Sequence, residues 1–150
     1  MTKERIIDVI AFLFILLFMY TAVSKLLRIE YFKAVIVQTP ELIPYAVLIQ
    51  WGVPLAEIII SVTLAVSRFR LIALYGSLVL MLVFTGYIGW ILGFSQQLPC
   101  ACGGVIEKMG WRAHLLFNSA FSLLALIAIW LEKKTRKSKL DSAIGPTAYS

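Results

Sequence analysis

The sequence predicts an all-α membrane protein, a four-transmembrane-helix bundle with both termini in the cytoplasm. Three observations carry that expectation. The 150 residues are 61% hydrophobic and only 15% charged, whereas soluble domains are about half apolar and about a quarter charged. The apolar residues gather into four runs, at 6–27, 45–66, 71–94 and 113–131, each close to the ~20 residues that cross a hydrocarbon core as a helix. Lys and Arg stand mainly at the ends of those runs, where membrane topology is encoded. Mean hydropathy is +0.90. The net charge of +6 therefore reads as topology. No basic face interleaved with aromatics is present, which argues against a nucleic-acid partner.

The first run is interrupted only by Asp8 near its start and Lys25 near its end. It exceeds the ~7–15 residues of a signal-peptide apolar core, so it reads as a retained span. The loop after it, "RIEYFKAVIVQTPELIP", mixes Tyr31, Phe32, Val35, Ile36 and Val37 with charges. It fits either a short interfacial helix or an ordinary connection. The second run carries Pro54 and Glu57; proline there frees a carbonyl and favours a kink. The third run is uncharged and holds Gly86, Gly89 and Gly93, a spacing that lets helices approach closely. Packing within the bundle is the expected use of that glycine face. Trp51, Trp90, Trp111 and Trp130 fall near span ends, where amphipathic rings favour the interface. The transmembrane domain is thus expected over residues 1–132. A basic cytoplasmic tail, 133–150, is expected to be disordered, its first residues against anionic lipid.

Orientation follows from the cations. Lys3, Arg5, Arg68, Arg70, Lys133, Lys134, Arg136, Lys137 and Lys139 fall on one side, nine in all. Lys25, Arg28, Lys33, Lys108 and Arg112 fall on the other, five in all. The positive-inside rule puts the first group in the cytoplasm. The loop between the third and fourth spans then faces outward, which in a bacterium is the periplasm.

That loop reads "LPCACGGVIEKMGWRAH" and holds both cysteines, Cys100 and Cys102. A disulfide between residues so close in sequence is strained, and strain makes a bond labile and fit for exchange. It would close almost no chain, so it contributes little as a staple. Pro99 stiffens the approach, while Gly103 and Gly104 free the backbone to present N–H donors, which favour thiolate. His114 opens the fourth span and is placed to take up a thiol proton. Three uses of the cysteines fit these residues: thiol–disulfide exchange, binding of a soft metal such as copper, or a passive reduced pair. The chain has two cysteines and one histidine, one ligand short of a closed zinc site, so no metal site is assigned. Glu57 lies well inside a span, where a carboxylate is costly and marks function or a buried pair. Lys25 can reach it if the second helix begins nearer Trp51 than Tyr45. Asn118, Ser119 and Ser122 on the fourth span offer hydrogen bonds to the same interior.

"YTAVSKLLRIEYF", the Pro54-to-Glu57 step and the four spans resemble the DoxX-like membrane proteins. "PCACGGVIEKMGWRAHLLFN" is similar to the Cys-x-Cys loop of the MauE branch, the methylamine-utilisation and redox-associated proteins, in its Bacteroidetes-like form. The resemblance covers roughly residues 5 to 132. Many MauE relatives carry Cys-x-Cys-Phe-Gly, and Gly103 stands where that Phe would be. The resemblance implies an inner-membrane component of thiol–disulfide oxidoreductase chemistry. It would exchange electrons with a periplasmic thioredoxin-like protein to support disulfide formation or maturation of a client. DoxX-side relatives imply a quinone as a further acceptor.

Overall fold

A computed structural model describes residues 2–94 and 110–145. Helix α1 spans Lys3–Leu27, α2 Ile29–Ile36, α3 Ala46–Ala65, α4 Arg70–Phe94 and α5 Trp111–Ile144; a 3-10 turn, Pro40–Tyr45, leads into α3. There is no strand among the described residues. Four of these helices, α1, α3 (with its leading turn), α4 and α5, are long and apolar enough to cross a membrane. The chain is therefore all-helical, as the apolar runs require: with no water in the bilayer, each backbone polar group must be paired within its own helix.

The four spans form a ring in chain order. α1 lies along α3 and α4 along α5, and these two hairpins close through α1 against α5 and α3 against α4. Phe14 and Phe18 of α1 are fully buried, packed with Leu64, Leu74 and Met81. Phe14 meets Phe121 of α5 edge-on at 5.3 Å and 88°, the geometry that the ring quadrupole favours. The outward faces carry exposed Leu16, Leu48, Ile59, Ile72 and Leu116. In water such a continuous apolar surface would aggregate; against lipid tails it is matched. Trp51, Trp90 and Trp130 lie on this outer surface as well.

Hydroxyls inside the spans are satisfied locally. Ser61, Ser77, Thr85, Ser119 and Ser122 each donate to the carbonyl four residues back, at 2.7–2.8 Å. This removes the cost of an unpaired hydroxyl without a partner helix. Ser119 and Ser122, expected to offer hydrogen bonds to the interior, thus spend their donors on their own helix.

Two further expectations are corrected. Gly86, Gly89 and Gly93 of α4 do not pack the bundle: an added Cβ at any of them would meet nothing within 4 Å among the described residues. Close approach is supplied instead by Ala11, Ala73, Ser77, Ala125 and Ala128, all buried. Spacing alone marks a smooth face but not which way it points. We expect Gly89→Ala to leave the bundle unchanged or to stabilise it by up to about 1 kcal/mol, through better helix propensity. Thermal unfolding in detergent micelles measures this; a loss of stability would mean that the face is covered.

The second correction concerns the tail. Of the tail 133–150, expected to be disordered, residues 133–144 continue α5, while 146–150 lie outside the described residues. The segment is rich in good helix formers, and contacts hold it. Arg136 donates to Glu132 at 2.9 Å and to the carbonyls of Ser67 and Arg68, each at 3.2 Å, in the α3–α4 turn. Lys139 pairs with Glu4 at 2.7 Å. The N-terminus, the α3–α4 turn and the basic stretch of α5 thus share one end of the bundle.

The loop after the first span resolves into α2 and the 3-10 turn, both packed on α3. Val35 and Ile36 of α2 are buried. Thr39 Oγ1 and Tyr87 Oη, 3.2 Å apart, tie this cover to α4.

Candidate functional site, a polar chamber between the helices

Buried Glu57, His114 and Asn118 collect in one place with Thr21 and Lys25, and the helical repeat explains how. Thr21 and Lys25 are four residues apart on α1, and His114 and Asn118 are four apart on α5; side chains so spaced share a face. On α3 the buried positions are Ala46, Gln50, Pro54, Glu57, Ser61 and Leu64, one stripe at the same repeat. Pro54 has no N–H to offer the Gln50 carbonyl, one turn before the carboxylate. All three polar faces turn inward.

At the centre Lys25 Nζ lies 2.7 Å from Glu57 Oε1. Thr21 Oγ1 lies 3.0 Å from the same oxygen and 3.2 Å from the Phe18 carbonyl, its one hydroxyl hydrogen shared between the two acceptors. The ammonium also lies over the rings of Phe32, 5.9 Å away, and Phe84, 5.6 Å away, within cation–π range. The Glu57 side chain is 0% exposed and that of Lys25 15%.

The sequence foresaw this pair only for a late-starting second helix, and that condition is not met, since α3 begins at Ala46. Glu57 is therefore about 16 Å along α3, at ~1.5 Å per residue, while Lys25 is near the end of α1. The pair forms because side chains lean toward their own helix N-terminus. On antiparallel neighbours Lys25 reaches inward and Glu57 outward, which closes the difference in depth.

Around the pair is a cavity of about 280 Å³. Thr21, Lys25, Glu57, His114 and Asn118 line it, with aromatic side chains from α2, α4 and α5. α2 and the 3-10 turn contribute Phe32, Val35, Ile36 and Leu42 to its wall. Two polar atoms of this lining are left over: Glu57 Oε2 and Asn118 Nδ2 are buried without a hydrogen-bond partner among the described residues. The structure thus gathers Lys25, Glu57, His114 and Asn118 around one space. Sequence reasoning missed Thr21, Tyr87 and the aromatic wall; the placement of Thr21 one turn before Lys25 was the available signal. Among the described residues no three His, Cys, Asp or Glu side chains converge as metal ligands. Cys100 and Cys102, with Pro99, Gly103 and Gly104, lie outside the described residues.

Fold and chamber together define a multi-pass helical membrane protein with a charged, covered interior site. A family model described as "Methylamine utilisation protein MauE" matches residues 3–131, all four spans included. The chain belongs to the MauE family. No curated protein and no solved structure matches the chain.

Proposed function

We propose that this protein is an inner-membrane thiol–disulfide exchange component serving a methylamine-utilisation-related or similar maturation pathway. Its family supports a membrane role of that kind. The single observation that carries the exchange reading is the placing of both cysteines, one residue apart, in the segment joining α4 to α5. The nine-to-five bias of cations supports cytoplasmic termini and a periplasmic Cys loop, in a compartment where disulfides persist.

In this mechanism one cysteine thiolate attacks the disulfide of a thioredoxin-like partner, giving a mixed disulfide and a partner thiolate. The second cysteine then attacks the mixed disulfide. The products are a Cys100–Cys102 disulfide and a partner dithiol, with two electrons transferred and the thiol protons passed to the leaving sulfurs. The reverse sequence oxidises the partner, and the relative potentials of the two pairs set the direction. His114, at the start of α5, serves as the proton acceptor for the attacking thiol.

Intact cells treated with a membrane-impermeant maleimide test the topology: labelling of Cys100 and Cys102 without permeabilisation is expected. Acid-quenched cells carrying Cys102→Ser or Cys100→Ser are expected to hold a mixed disulfide with a thioredoxin-like protein, released by reductant. Labelling only after permeabilisation, or no covalent complex in either variant, would count against the proposal. Stoichiometric copper on the reduced protein would move the reading to metal binding.

A further inference from the structure

We infer that the chamber is a binding site for a neutral, membrane-soluble hydroxyarene, a molecule of one or two fused aromatic rings bearing a ring hydroxyl. Four observations define the occupant. The first is charge. The carboxylate of Glu57 is already matched by Lys25 at 2.7 Å, so an ionic ligand would upset a balanced pair at high desolvation cost. An external ammonium is excluded more directly, since the Lys25 ammonium already occupies the cation–π position over Phe32 and Phe84.

The second is hydrogen bonding. One acceptor, Glu57 Oε2, and one donor, Asn118 Nδ2, have no partner among the described residues, and their residues are 0% and 3% exposed. Leaving such groups orphaned costs about 1–3 kcal/mol each. A single hydroxyl donates once and accepts at its lone pairs, so its chemistry matches both needs. The third is the wall. Phe32, Phe84, Tyr87 and Phe117 present ring faces and edges, which pack best against another ring. The fourth is size. The cavity is about 280 Å³, nearly twice the ~150 Å³ void that takes up benzene.

The site does not require the cysteine pair, so its test is independent of thiol chemistry. The full chain in detergent micelles is titrated with 1-naphthol, naphthalene, 1-naphthoate and methylammonium, and binding is read by calorimetry and thermal shift. Saturable one-to-one binding of 1-naphthol is expected, at least tenfold tighter than naphthalene and 1-naphthoate, with no competition from methylammonium. Asn118→Leu, which removes the donor, and Val53→Phe, which fills the cavity, are each expected to weaken 1-naphthol at least tenfold with helicity retained. A Cys100→Ser/Cys102→Ser variant should bind as the parent does. Equal binding of naphthol and naphthalene, no saturable binding by the parent protein, or displacement by methylammonium would each overturn the proposal. The comparison of ligands on the parent protein decides even if a variant fails to fold.

Discussion

Lys25→Met is expected to destabilise the bundle by about 3–5 kcal/mol, the cost of leaving one member of a buried ion pair without its partner. The substitution strands Glu57, which is 0% exposed, and leaves it only the Thr21 hydroxyl at 3.0 Å. Glu57→Leu should cost less. The Lys25 side chain retains 15% exposure and stands near the end of α1, so its long stem can lead the ammonium toward the interface. The double variant Lys25→Met/Glu57→Leu should recover most of the loss, because two apolar groups replace two desolvated charges. Unfolding in mixed micelles with increasing SDS measures all three. Equal costs for the two single variants, or a double variant as unstable as their sum, would show that the pair is not the isolated buried unit described here.

Loss of either cysteine should abolish maturation of a disulfide-bearing client while leaving the bundle intact. Cys100→Ser or Cys102→Ser is expected to reduce complementation of a deletion strain at least tenfold and to change the redox state of the thioredoxin-like partner. The SDS midpoint should stay within about 0.5 kcal/mol of the parent, since a bond between such close residues constrains little chain. A double Cys→Ser variant that complements fully would instead assign the protein an assembly role. The two predictions separate the chain cleanly: one assigns stability to the ion pair, and the other, on the proposed function, assigns activity to the cysteines.

Much of this architecture could be read from the amino acids. The spans are legible because each run of apolar residues must satisfy its own backbone, which leaves helix as the only form. Lys25 and Glu57 were legible as partners because charges so placed are rare inside spans. Their depth was not, since it depends on how far two antiparallel side chains lean toward each other. The glycine face of α4 was misread because a small-residue spacing is the same whether it faces a helix or lipid. The tail was misread because its basic composition resembles disorder, while the contacts of Arg136 with the Ser67 and Arg68 carbonyls join residues nearly seventy positions apart. The cavity was invisible for a related reason: it is a gap left among six elements, and no single stretch of sequence encodes a gap.

The grip of Arg136 has a consequence for the far end of the molecule. Asn118 and Arg136 are separated by 18 residues of unbroken α5. At ~3.6 residues per turn that is five whole turns, over a length of ~27 Å. The two side chains therefore leave the helix in the same compass direction. Because Arg136 is anchored to the α3–α4 turn, α5 cannot swivel about its axis without tearing that anchor. A clasp at one surface thus fixes the azimuth of Asn118 near the other, like a key held at its bow to aim its bit.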